Sequence, residues 1–226
     1  MSRIVAGPFN RVEGDLEITL ETGEDKVQRA EVNSPLYRGV ERILLGHKPM
    51  DALVYTPRIC GICSVTQSVA SARALADAMG LSMPKNGELC TNLVLASENI
   101  TDLITHFYLF FMPDFARDTY AGASWFGDIQ GRFKATAGSA ATQMLPARAD
   151  FLHLMGLMAG KWPHTLSLQP GGVAKAIEPK ERMRLLAIVA GFKRFLESTL
   201  FGDSLTTISQ LKSEAELWQW YQQKPW

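Results

Sequence analysis

Two thiols three residues apart are the chemistry-bearing feature of this chain. Cys60 and Cys63 flank Gly61-Ile62 within the segment Thr56-Pro57-Arg58-Ile59-Cys60-Gly61-Ile62-Cys63. The spacing lets both sulfurs reach one metal ion, and thiolates are soft donors that select nickel, zinc, copper(I) or iron. A Cys-x-x-Cys pair equally suits a zinc half-site, a redox dithiol or two buried thiols. The third cysteine, Cys90, stands alone on an apolar-periodic segment. Downstream, Glu98, Asp102 and His106 recur at i, i+4 spacing and so share one side of a helix. For Asp102 and His106, a satisfied polar pair on a buried helix is as good a reading as direct chemistry.

Several elements must position these residues. Between Ile4 and Val32 the pattern is strand: Leu16, Ile18 and Leu20 alternate with Glu17, Thr19 and Glu21, the period-two signature of a half-buried strand. Thr22-Gly23-Glu24-Asp25 reads as a turn, with a second strand over Val27 to Val32. A short helix is expected over Gly39 to Leu45. The cysteines lead into a helix from Ser64 to Met79, whose Val65, Val69, Ala72, Ala76 and Met79 recur at helical spacing. Its many small residues suit a central helix that others approach closely. Gly80 ends it and Pro84 prevents its resumption.

The next helix, Gly87 to Phe111, has the strongest periodicity: Leu89, Leu93, Ala96, Ile100, Leu103, Phe107 and Phe110 step by four and three. That stripe, Phe110 included, reads as core. Thr119 to Ala147 is irregular, Phe151 to Met158 helical, and Lys161-Trp162-Pro163-His164 a loop. Gln169-Pro170-Gly171-Gly172 is a turn, and Glu178 to Leu200 a third long helix with Pro179 in its first turn. The expected fold is mainly α with a small N-terminal antiparallel sheet (α+β). Residues 1–50 form a β-rich segment and residues 51–226 a helical core carrying the cysteine turn.

Acids and bases balance at 23 each over 226 residues. That neutrality argues against nucleic acid or an anionic membrane as partner. Three cysteines are too few for a secreted disulfide scaffold, the start lacks a signal-peptide core, and no apolar stretch reaches the length of a membrane span. The expectation is a soluble cytoplasmic protein.

Four islands of sequence, taken together, carry a resemblance: Asn10-Arg11-Val12-Glu13-Gly14-Asp15, Tyr37-Arg38-Gly39-Val40-Glu41, Arg58 to Cys63, and Asp102 with His106-Phe107-Tyr108. Weaker agreement continues through Trp162-Pro163-His164 to Gly171-Gly172. The set resembles the large subunit of a NiFe hydrogenase. The resemblance implies that Cys60 is a terminal nickel ligand and Cys63 a bridge between nickel and an iron that carries carbon monoxide and cyanide. It makes Glu13 the acid that relays protons away from a terminal cysteine; H2 cleavage needs such a base within hydrogen-bond reach. It makes Glu41 a ligand of a structural magnesium, a hard ion that takes oxygen donors, and Asp102 a carboxylate above the active site. The implied partners are a small subunit with iron–sulfur clusters, the maturation proteins that insert the metals, and H2 itself.

Three departures resemble the H2-sensing, regulatory branch. Gln67 stands where the family usually has His, and Asp15 follows Glu13-Gly14 where His is usual. Ile62 and Phe110 replace the common Val and Leu. The branch is thought to use two bulky residues to narrow the gas channel, admitting H2 and hindering O2; it signals to a sensor histidine kinase. Gln67 can donate a hydrogen bond to sulfur but cannot gain charge. The family takes its other two nickel thiolates, and a magnesium ligand, from a C-terminal Cys-x-x-Cys segment, and this chain has no second pair. The expectation is an N-terminal half, truncated at its C-terminus, that by itself holds no complete cluster and turns over no H2. Rival readings are an uptake or bidirectional hydrogenase, a non-catalytic relative like the quinone-site subunit of respiratory complex I, and a zinc-binding interaction module.

Overall fold

A computed structural model describes residues 2–9 and 14–224. Strands β1 (Ser2–Ala6), β2 (Glu17–Gly23) and β3 (Lys26–Asn33) form an antiparallel sheet in the order β1-β2-β3. Ile4 faces Leu20, and Leu20 faces Ala30. The turn is where the sequence placed it, with Glu24 and Asp25 at positive φ. The alternation in β2 does not become an inside and an outside, however. The whole strand is half-buried and β3 is exposed throughout, so neither face of the sheet is sealed against a core.

The core belongs to the helices. Short helices α1 (Val40–Ile43) and α2 (Ala52–Tyr55) precede the cysteine turn; α3 (Ser64–Ala78) follows it, and α4 (Lys85–Thr105) returns alongside. Gly80 closes α3 with φ +67, the left-handed cap glycine adopts without penalty, and Pro84 opens α4. A π-helical stretch, His106–Phe111, runs into α5 (Met112–Phe115). Then come α6 (Phe126–Phe133), α7 (Ala140–Ala159), a hairpin of β4 (Leu168–Gln169) and β5 (Gly172–Val173), and α8 (Pro179–Phe195), which ends in a second π-helical stretch, Leu196–Leu200. Two further helices, α9 (Leu205–Gln210) and α10 (Glu214–Gln222), close the described chain. Among the described residues no helix is long and apolar enough to cross a membrane.

One cluster of Val65, Val69, Val94, Met155, Met158 and Leu168 joins α3, α4, α7 and the hairpin beneath the cysteine turn. A second joins the π-helical stretch, α6, α7 and α8, with Phe151 stacked on Phe192 at 4.1 Å between ring centroids. The hairpin lies directly on the first turn of α4. A Cβ on Gly87 would come within 3.1 Å of the Gly171 carbonyl oxygen, and one on Gly172 within 3.2 Å of the Gly87 Cα. Close backbone approach therefore sets the hairpin, and the loop leading into it, against α4.

The orientation of α4 reverses the expectation from its periodicity. Leu89, Leu93, Ile100, Leu103 and Phe110 are exposed. The buried face is instead Thr91, Val94, Ser97, Glu98, Thr101, Ile104 and Thr105. At 3.6 residues per turn the two faces lie on opposite sides of the helix. Small hydroxyl residues explain how a polar face can be buried: Ser97, Thr101 and Thr105 each donate to the carbonyl four residues back, at 2.7–2.8 Å, which satisfies the hydroxyls within the helix.

Candidate metal centre

The cysteine turn is built from both sides. Thr56–Ile59 form a 3-10 turn with Pro57 buried beneath it. Cys60 is extended, and Cys63 is the residue that opens α3. The Cys63 amide donates to Cys60 Sγ at 3.2 Å, and Gln67 Nε2, one helical turn on, reaches Cys63 Sγ at 3.8 Å. Both thiols are free and half-buried. The Arg38 guanidinium donates to the Ile59 carbonyl, which ties the segment before α1 to the turn.

Burial pushes the Cys63 thiol up to about 11, and its hydrogen bonding with Cys60 adds to the rise. A cysteine at a helix N-terminus ordinarily has a lowered pKa, because free backbone amides favour the thiolate. Here two of those amides are taken. Glu98, on α4 and only 2 % exposed, accepts from Val65 N at 2.8 Å and Thr66 N at 2.9 Å. Its carboxylate also accepts from the hydroxyls of Ser64 (3.3 Å) and Thr66 (3.2 Å) and from Trp162 Nε1 (2.9 Å). His164 completes the surround: its amide donates to Ser64 Oγ at 3.2 Å, and its Nδ1 lies 2.8 Å from the Pro57 carbonyl oxygen. Arg148 supports the loop from α7, with its guanidinium 5.4 Å from the centre of the Trp162 ring and its Nε donating to Thr105 Oγ1 at 2.8 Å.

Of the residues singled out in the sequence, the structure brings Cys60, Ile62, Cys63 and Gln67 together on one turn. Three others stand on separate elements. Glu41 is exposed on α1 and accepts from the Tyr37 hydroxyl at 2.5 Å; that bond holds its carboxyl below the usual range. Asp102 is exposed on α4, in the electrostatic reach of Arg148. Phe110 is an exposed residue of the π-helical stretch, stacked on His106 at 6.1 Å. Phe110, read as core, is exposed because the helix turns its apolar stripe outward, while Ile62 on the cysteine turn is half-buried. Glu13 lies outside the described residues.

Sequence reading left Glu98 as one member of a polar line and gave His164 no role. A signal was there. Glu98 is the one acid on a face otherwise made of Thr, Ser, Val and Ile, a composition that fits burial against a partner with amides to satisfy.

As a metal site the turn supplies two soft donors. Among the described residues no group of three or more His, Cys, Asp or Glu side chains converges, so the turn fits half of a four-thiolate centre. Glu41 fits magnesium only as one oxygen donor of the several the ion takes.

The family model described as nickel-dependent hydrogenase matches residues 38–122, a stretch that contains both cysteines. The large subunit of the periplasmic [NiFeSe] hydrogenase of Desulfomicrobium baculatum is 30 % identical over 190 residues, covering 76 % of this chain and 36 % of that protein. Over these residues the chain is similar to the N-terminal part of nickel-dependent hydrogenase large subunits. Other such large subunits agree. The Hydrogenase-2 large chain of Escherichia coli (strain K12) is 28 % identical over 224 residues, 77 % of this chain and 40 % of that one. The uptake hydrogenase large subunit of Bradyrhizobium diazoefficiens is 36 % identical over 107 residues, 47 % and 18 % of the two chains. The reduced Ni-Fe-Se hydrogenase of D. vulgaris Hildenborough superposes with a TM-score of 0.69 at 28 % identity, over 88 % of this chain and 43 % of that one. The chain therefore spans well under half the length of these relatives.

Proposed function

We propose that this chain supplies half of the thiolates of a NiFe hydrogenase active site, and that the complete large subunit cleaves H2 heterolytically and passes electrons to an iron–sulfur small subunit. The observation that carries this reading is the pair Cys60 and Cys63 on one half-buried turn, inside the stretch that matches the family. Cys60 would hold nickel, and Cys63 would bridge nickel to an iron bearing carbon monoxide and cyanide. When bound, such a centre supplies a site at which H2 is polarised and its electrons accepted. The chain's own part is to hold the sulfurs and manage protons around them. Both thiols lose protons on metal binding, so loading releases acid. Gln67 donates to the Cys63 sulfur and favours its deprotonated form. From the resemblance, Glu13 takes the proton onward, Asp102 stands over the centre, and Glu41 helps hold a magnesium ion.

Within the family we propose the H2-sensing branch, coupled to a histidine kinase, on the strength of Gln67, Asp15, Ile62 and Phe110. The uptake reading has its own support, in the 36 % identity to an uptake hydrogenase large subunit. Turnover of the complete heterodimer under O2 separates them: slow turnover that survives O2 supports the sensor, whereas fast turnover with O2 inactivation refutes it. Replacing Ile62 and Phe110 by Val and Leu should make a sensor O2-sensitive. For the family reading itself the test is Cys63→Ser in the complete large subunit. Loss of nickel and of the infrared bands of bound carbon monoxide and cyanide is expected; their persistence would remove Cys63 from the centre.

A further inference from the structure

Helix α3 opens on a cysteine, and this creates a difficulty that the rest of the fold answers. Ser, Thr, Asp or Asn at that place would accept from the amides two and three residues on. Cys63 cannot do this and also present its sulfur to a metal, and α3 has no side-chain cap of its own. The acceptor comes instead from α4. Both oxygens of Glu98 are engaged: one takes Val65 N, Trp162 Nε1 and the Ser64 hydroxyl, the other takes the Thr66 amide and hydroxyl. All of these donors except Trp162 Nε1 belong to the three residues that directly follow Cys63. On the other flank, His164 ties the Pro57 carbonyl, three residues before Cys60, to the same Ser64 hydroxyl. Neither Glu98 nor His164 is shown bonding a sulfur, yet together they grip both ends of the segment that carries the sulfurs.

We propose that Glu98 is a positioning residue for the Cys60–Cys63 pair, capping α3 from a neighbouring helix so that the capping position itself is free to be a metal-binding thiol. This rests on reading the two cysteines as a metal half-site. Glu98→Gln keeps the volume but puts an NH2 donor where the carboxylate accepts only donors, so at least one of the Val65, Thr66 or Trp162 N–H groups loses its partner.

The test uses this chain in three measurements. First, Ni(II) alone is titrated and followed by thiolate-to-nickel charge-transfer absorption, with Cys60→Ser and Cys63→Ser defining the signal. Glu98→Gln should weaken binding at least tenfold, the range seen when groups that orient ligands are removed. Leu154→Ala, which opens a cavity in the other core cluster, serves as the control for general destabilisation and should bind as the parent does. Second, amide exchange at Val65 and Thr66 should rise in Glu98→Gln and stay at parental levels in Leu154→Ala. Third, the rate of joint capture of Cys60 and Cys63 by phenylarsine oxide should fall in Glu98→Gln. Parental nickel affinity in Glu98→Gln would overturn the proposal. If the parent shows no cysteine-dependent nickel binding, the half-site reading fails, and the arsenical and exchange measurements still decide on Glu98. Unchanged arsenical capture with unchanged exchange would overturn the positioning role.

Discussion

Leu103 and Val94 sit on opposite faces of α4, and exchanging each for alanine distinguishes the face that holds the fold from the one that does not. Periodicity makes Leu103 core, where Leu→Ala would cost about 2–5 kcal/mol. In the structure Leu103 is 69 % exposed and Val94 is 1 % exposed. Truncating Leu103 should therefore change stability by no more than about 0.5 kcal/mol, with alanine's better helix propensity offsetting part of any loss. Val94→Ala removes two methylene equivalents from a cluster shared with Val65, Met155 and Leu168. At about 0.8 kcal/mol each that is about 1.6 kcal/mol of transfer free energy. The cavity raises the cost to about 2–3 kcal/mol. Urea unfolding of the chain, followed by far-UV circular dichroism, reads the difference directly. With a slope of about 2 kcal/mol per molar urea, Val94→Ala should lower the midpoint by about 1 M and Leu103→Ala by less than about 0.3 M. Equal midpoint shifts for the two variants, at unchanged slope, would mean that the stripe is packed and the orientation of α4 is wrong.

Three other outcomes follow from the same geometry. Replacing Leu93 and Leu103 together by lysine should lower self-association of the isolated chain in sedimentation velocity without moving its urea midpoint, because the exposed stripe is an adhesive surface; undiminished association would place the contact elsewhere. Asp203 accepts from Lys224 Nζ at 2.5 Å, Trp220 Nε1 at 2.9 Å and Ser204 N at 2.6 Å, bonds that hold its carboxyl well below the usual range. A depressed carboxylate stabilises above its ordinary value near pH 4 and loses that contribution as pH falls toward the depressed one, so α10 should loosen below about pH 4, seen as a shift in tryptophan emission. Asp203→Asn should show the loosened emission already at pH 7 and little further change in acid; a variant that titrates like the parent would exclude Asp203 as the fastening.

Much of the architecture was legible because its signals are local. The cysteine turn, the helix that follows it, the Gly80 stop and the Gly171-Gly172 turn each depend on a few adjacent residues whose backbone preferences agree, whereas Pro84, read only as a break, opens α4 two residues before the expected start at Gly87. α7 was found only over its second half, since Pro146 inside it is a signal that normally ends a helix. The direction in which α4 faces was not legible. Periodicity reports that a helix has an apolar side, but not which neighbour the chain supplies for it. In β2 likewise, alternation was real and yet yields no sealed face, because the cover a strand pattern anticipates comes from tertiary structure. Among site residues, the cysteines and Gln67 could be placed together from spacing alone. Glu98, Trp162 and His164 could not, because the contacts that join them to the turn span 32 to 107 residues of sequence.

Two oddities of α4, a polar face turned inward and an apolar stripe turned outward, have one physical origin. A buried carboxylate is tolerated only where donors satisfy it, and the first turn of α3 offers two amides left uncapped because a cysteine stands at the capping position, together with the hydroxyls of Ser64 and Thr66. Bringing Glu98 to those donors settles the rotation of α4 about its axis. The serine and threonine residues flanking Glu98 can accompany it inward because each bonds back into its own helix. Once that rotation is set, Leu89, Leu93, Ile100 and Leu103 must face the other way, whatever their hydrophobicity. α4 is thus a helix with two faces that need neighbours, and the described residues provide one. On this argument the exposed stripe is the structural cost of presenting thiols at a helix start, and Glu98→Gln should relax both together, loosening the cysteine turn and weakening the constraint that keeps α4 facing outward.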